Sequence, residues 1–297
     1  DKTDLEVFMD IISALLLLVS ASLASVRNVL MKSFAPFLFR RREFFLIQAA
    51  VFGVGSAALF VVNLFSFSGL SALTVLLGLT YGVLLMCAQW FYTIALSNGK
   101  TGICATIYSF GFLLPTLSGA VFWQEKITFW GFLGILIAVP VMLISGINKK
   151  KGRGRVSNSY FLPLLIALIC SGSLGVVQKI QQGSEYKAQA NSFILVAFVF
   201  CFTVSLLVSL LLKRGSTKIQ GKNLTSASLV GGFFASCNLI NTYLAGKLAS
   251  AVFFPALNIG GILFSLLLGF IIYREKITKK DVLVLLLAAA SIILVNL

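Results

Sequence analysis

The chain of 297 residues is 59% hydrophobic and only 11% charged, with a formal net charge of +15 and a mean hydropathy of +1.00. A soluble domain has roughly half apolar residues and about a quarter charged ones. A chain this apolar cannot cover its surface with polar groups, so lipid is the expected solvent for most of it. That excludes the nucleic-acid reading of the charge, because Lys and Arg sit in short links between apolar runs, as the positive-inside pattern requires.

A helix needs about 20 mainly apolar residues to cross a bilayer. Ten stretches qualify, near 8–31, 43–66, 74–97, 102–123, 129–147, 159–181, 191–213, 226–247, 250–273 and 280–296. The predicted fold is therefore an all-α membrane protein. The acidic start (Asp1, Asp4, Glu6, Asp10) leads straight into the first run. With no basic region before it and nine more runs behind it, that run reads as a span and not as a signal peptide.

The longest polar link is Lys149-Lys150-Lys151-Gly152-Arg153-Gly154-Arg155. It reads as a basic linker, 149–158, between two five-span halves, 1–148 and 159–297. Glu125-Lys126-Ile127-Thr128 returns as Glu275-Lys276-Ile277-Thr278. In the same register Gly82 meets Gly232, Cys87 meets Cys237, Ala95 meets Ala245 and Gly119 meets Gly269. One position further on, Ser22-Leu23 meets Ser173-Leu174 and Val26 meets Val177. Five is odd, so consecutive halves enter the membrane from opposite sides. An inverted repeat of this kind is the usual frame for alternating access. The links after odd-numbered spans hold 18 Lys and Arg against 5 on the other side, with Arg27 left near a span end. This bias puts the 18 in the cytoplasm and both termini outside a cell membrane.

Chemistry-bearing groups are few. No histidine is present, which removes the commonest general base, the Ser-His and Cys-His pairs and the His-containing metal motifs. Cys87, Cys104, Cys170, Cys201 and Cys237 lie in apolar runs without metal-ligand spacing and read as small buried side chains. No catalytic residue, cofactor or metal site is expected, and there is no phosphate loop of the G-x-x-x-x-G-K type. The nine acidic residues all lie away from span centres.

Polar side chains inside a bilayer are costly and usually face the bundle interior. Span 3 offers Gln89, Tyr92 and Thr93 beside Trp90, and span 8 offers Asn238 and Asn241 three apart. Span 4 has Cys104, Tyr108, Gly111 and Pro115, and span 9 has Phe254, Asn258, Gly261 and Ser265 in the same register. Each set is one stripe of a helix. Tyr108 and Asn258 are mates at mid-stripe and head the candidate substrate-binding set, with Gln89, Trp90, Tyr92, Asn238 and Asn241 completing it. Bridging between helices is the competing role for each amide, and lipid contact the competing role for Trp90. Gly78 and Gly82 form a G-x-x-x-G on span 3, repeated by Ser228 and Gly232 on span 8, where close helix packing accounts for them. Pro115 and Pro255 mark bends in spans 4 and 9. Glu125 and Glu275 each open a following helix, where the helix dipole favours a carboxylate.

Ten spans in two halves, a Glu and a Thr at the link between the fourth and fifth span of each half, and a Ser-rich first span running into Arg27-Asn28 and Lys32, echoed by Ser171-Gly172-Ser173 and Lys179, resemble the drug/metabolite transporter superfamily, the EamA-like branch above all. The resemblance implies a pore built from spans 1, 3, 4, 6, 8 and 9, with spans 5 and 10 peripheral and at subunit contacts, as in a homodimer. It also implies cytoplasmic termini, against the charge count. Small multidrug pumps of that superfamily use a membrane-embedded Glu, which is missing here. The expected activity is secondary transport of a small neutral or zwitterionic solute, amino-acid-like or metabolite-like. The alternatives are a non-transporting membrane subunit or scaffold and a transporter of drugs or quaternary ammonium ions.

Overall fold

The computed structural model describes residues 4–38, 41–99, 101–122, 129–134, 136–137, 160–213, 221–247, 250–274 and 278–294. The basic linker, Glu125-Lys126-Ile127-Thr128, Glu275-Lys276-Ile277 and most of the fifth expected span lie outside them, as do the side chains of Phe254 and Pro255.

The described chain is helical throughout, with no strand among the described residues. The helices are α1 (Asp4–Lys32), α2 (Arg41–Ser66), α3 (Ala72–Asn98), α4 (Thr101–Ser109), α5 (Leu113–Phe122), α6 (Phe161–Gly183), α7 (Ala190–Leu211), α8 (Gly221–Lys247), α9 (Ser250–Tyr273) and α10 (Lys279–Leu294). Residues 129–134 and 136–137 are helical as well. The all-α expectation holds. Five segments are long and apolar enough to cross a membrane: Ile11–Lys32, Arg42–Ser66, Ala72–Asn98, Phe161–Gly183 and Lys187–Leu211. Helices suit such sequences because every backbone N–H and C=O is satisfied within the segment, which hydrocarbon demands. Large apolar side chains on the outer faces agree with this: Phe65 is 88% exposed, and Val121 and Phe122 are 73% exposed.

The fourth expected span is one run in sequence but two helices in space. A 3₁₀ turn, Phe110–Phe112, separates α4 from α5. Pro115 explains where the turn falls. It has no N–H to give to the carbonyl four residues back, Gly111, and its ring crowds that carbonyl. Pro255 has no such effect: α9 runs through it unbroken.

Close packing joins the two halves. α2 lies against α7 and α8, α3 against α6 and α7, and α1 against α8 and α9, while α4 meets α9 and α5 meets α6. The rings of Phe52, Phe198 and Phe234, from α2, α7 and α8, form a triad with centroids 5.6, 6.0 and 5.3 Å apart. Gly78 and Gly82 bring α3 onto the α7 backbone, where added Cβ atoms would come within 3.0 Å of the Phe193 and Ala197 carbonyls. The expected repeat of this contact through Gly232 fails: a Cβ there would meet nothing within 4 Å. Its neighbour Gly231 makes the contact instead, against Val51 and Gly55 of α2. One residue is a 100° rotation on a helix, so Gly231 and Gly232 face different surroundings.

Two links meet at one end. Gln189, in the 3₁₀ turn Lys187–Gln189 between α6 and α7, accepts through Oε1 from the Ser71 N–H at 2.8 Å and from Thr74 Oγ1 at 2.7 Å. Ser71 is the N-cap of α3 and accepts from the Thr74 N–H. Gly69, just before it, takes φ +97°, a conformation that suits glycine. Gln189→Ala is expected to loosen the start of α3 and cost about 1–2 kcal/mol, read as a lower unfolding midpoint in detergent.

Candidate functional site

A cavity of about 180 Å³ lies where helices of the two halves converge, lined from α1, α3, α4, α5, α6, α8 and α9. Cavities on the order of 150 Å³ accept a benzene-sized molecule, so there is room here for one small solute.

Six of the seven sequence-designated residues reach its wall: Gln89, Tyr92, Tyr108, Asn238, Asn241 and Asn258. The periodicity of a helix brings them together. Gln89 and Tyr92 share one face of α3, and Asn238 and Asn241 one face of α8. The break at Phe110–Phe112 sets Tyr108 at the end of α4, with Gly111 and Pro115 also on the cavity wall. Trp90 is not brought in. It is 41% exposed and packs on Phe44 and Phe45 of α2, with centroids 6.5 and 5.5 Å away. The reason is rotation: the residue after Gln89 points 100° away. Thr93 is buried beside the site and spends its hydroxyl on the Gln89 carbonyl. Cys104, at the head of the span 4 stripe, is buried against the Ala95 carbonyl.

The amides divide by what they already hold. Asn238 is engaged at both ends: its Oδ1 accepts from the Tyr81 hydroxyl of α3 at 2.8 Å, and its Nδ2 donates to the Phe234 carbonyl of its own helix at 2.8 Å. Asn241 Oδ1 accepts from Ser20 Oγ of α1 at 2.6 Å, with Nδ2 left for the cavity. Gln89 Nε2 donates to Gln48 Oε1 of α2 at 2.6 Å, while the buried Gln89 Oε1 has no hydrogen-bond partner among the described residues. Tyr108 lays its ring against Tyr92, with centroids 4.4 Å apart and planes 36° off parallel. This pair gives the cavity an aromatic wall, while the tyrosine and amide groups supply donors and acceptors.

Residues that sequence reasoning passed over share the wall. Arg27 and Asn28 of α1, and Gln178 of α6, line it. Arg27 places its guanidinium carbon over the Phe234 ring, 4.4 Å from the centroid. Its Nε and one Nη both donate to Asn28 Oδ1, at 3.3 and 2.8 Å. Gln178 Nε2 donates to Thr242 Oγ1 at 3.3 Å. The signal was in the sequence: at the shift that pairs Val26 with Val177, Arg27 falls on Gln178. A basic residue near a span end looks like a headgroup contact, which hides Arg27 among the link charges. No carboxylate is among the described lining residues.

Small residues let the helices around the cavity come close. A Cβ on Gly172 of α6 would overlap the Gly111 carbonyl. On the other side of the bundle, a Cβ on Gly260 of α9 would lie 2.8 Å from Ala21 of α1, and Ser25 Oγ donates to the Gly261 carbonyl at 3.1 Å.

No family model matches the chain, and no curated protein does. A solved crystal structure matches at a TM-score of 0.60 with 16% identity, over 94% of this chain and 98% of its own. At that identity the likeness concerns the fold alone.

Proposed function

We propose that the protein is a secondary transporter of the EamA-like, drug/metabolite transporter kind. In this reading ten spans form two inverted five-helix repeats in a cell membrane. A small polar metabolite-like solute binds between them and crosses by alternating access. The observation that carries the reading is the cavity itself: a largely apolar pocket with tyrosine, amide and arginine groups on its wall, at the meeting of both halves and walled by the six spans the resemblance implies for a pore.

The packing supports the repeat. Exchanging each span for its counterpart five spans away turns the α3–α6 contact into α8–α1, the α3–α7 contact into α8–α2, and the α1–α9 contact into α6 with α4 and α5. All of these pairs pack together. The small-residue contacts follow the exchange only in part: Gly111 on Gly172 corresponds to the Gly261 carbonyl accepting from Ser25, while the close approach to Ala21 is made by the neighbouring Gly260. The links support the inversion. The link after span 2 touches the link after span 6, through Ser71 and Gln189. At the opposite ends of the same helices, Arg42 Nε donates to the Ser209 carbonyl near the end of α7. A link that follows the second span of one half thus shares a side with a link that follows the first span of the other, as an inverted repeat requires.

Arg27 on the wall counts against a cationic drug or quaternary ammonium ion, which would be desolvated beside a like charge. Reconstitution into liposomes tests the function. Loaded vesicles carrying the protein should exchange a small organic solute faster than empty vesicles. Silence across carboxylates, amino acids, nucleobases and sugars alike would favour a non-transporting subunit.

A further inference from the structure

We propose that Arg27 is the specificity-determining group of the cavity, and that the solute is a small organic anion held by its carboxylate, without an ammonium group. The inference rests on the cavity being the solute site. Among the described residues Arg27 is the one charged side chain on that wall, and no carboxylate there balances it. Among the described residues its interactions are with neutral groups only: two N–H groups share the single Asn28 Oδ1, and the guanidinium carbon lies over the Phe234 ring. Its other N–H groups have no partner among the described residues.

The guanidinium is also held in place. Phe234 is wedged by Phe52 and Phe198, so the ring that supports Arg27 is itself fixed. An arginine presents a planar fork of donors that matches a carboxylate, and a charged side chain within a membrane bundle marks a ligand or an ion pathway by default. The rest of the wall suits an apolar body: Met31, Leu85, Phe112, Phe253 and Leu257 line it. The ammonium of an amino acid would find no anionic partner and would sit in a small cavity that already holds a cation. Net negative solutes are therefore preferred to zwitterions.

Purified protein in neutral detergent is titrated calorimetrically and by thermal shift with benzoate, hexanoate, methyl benzoate, leucine, choline and laurate. Benzoate or hexanoate is expected to bind and raise the unfolding midpoint, while methyl benzoate, leucine and choline do not. Arg27→Gln should weaken the acid on the order of 100-fold, the usual loss when one partner of a desolvated charge pair is removed. Arg27→Lys should recover part of it. The comparison of acid with ester uses the wild-type protein, so it stands even if a variant fails to fold. Equal binding of acid and ester, unaltered affinity in a folded Arg27→Gln variant, or no binding of either short acid would overturn the proposal. Binding of laurate alone would also overturn it, assigning the cavity to lipid chains. Flux of a neutral solute that is untouched by Arg27→Gln would remove the anion and leave the transporter standing. Tight benzoate binding without flux would do the reverse.

Discussion

Alanine at Tyr108 or at Asn258 is expected to abolish solute exchange in reconstituted vesicles while the helical fold survives. In the proposed repeat the two residues correspond, each in the fourth span of its half, and both line the cavity. Tyr108 is half-buried and lies against Tyr92, so its truncation strips an aromatic wall from the site and leaves the helix crossings in place. Loss of one well-placed binding group in a desolvated pocket costs about 2–4 kcal/mol, or roughly 30- to 1,000-fold. The check is initial exchange rate against the amount of folded protein, judged by circular dichroism and elution volume. Normal exchange in both variants would remove these residues from the site.

Two neighbouring glycines are expected to respond with opposite signs. A Cβ at Gly231 would overlap the carbonyl of Val51 on α2 and crowd Gly55. Backbone cannot step aside as a side-chain tip can. Gly231→Ala should therefore force α2 and α8 apart, and about 3 kcal/mol is expected, near the upper end of overpacking costs. Gly232→Ala meets open space and should stabilise by about 0.5–1 kcal/mol, because alanine has less backbone freedom to lose in a helix. Unfolding midpoints of the two variants in one detergent check both signs. The Gly231 change would also displace Phe234, three residues on, and with it the ring beneath Arg27.

These glycines show where the sequence was legible. Helix positions could be read because lipid leaves a long apolar run few alternatives. The runs at 43–66 and 250–273 became α2 and α9 with ends within two residues. Facing was harder. Repeat register pairs Gly82 with Gly232 and says which residues correspond, but rotation about the axis decides which of two neighbours touches the partner helix. The same limit separated Gln89 from Trp90. The 3₁₀ turn at Phe110–Phe112 was foreshadowed by Pro115, whose effect falls on the carbonyl four residues earlier.

Arg27 was hidden for a different reason. Position along α1, five residues before Lys32, makes it resemble a headgroup anchor, and its orientation depends on Phe234 more than 200 positions away. No local pattern records that contact. Glu43 was weighed only as part of the acidic inventory, yet it is buried at 3% exposure near the start of α2. Tertiary packing sets such burial, and composition is blind to it.

Access to the cavity from both sides is the central claim, and one measurement tests it most directly. Ser171 lines the cavity from α6. Placed as the single cysteine of a background with all five native cysteines replaced, Ser171→Cys can be labelled by a membrane-impermeant thiol reagent in oriented proteoliposomes. Reaction from either side, each slowed by saturating substrate, is the predicted result. Reaction from one side only, whatever the solute gradient, would contradict alternating access.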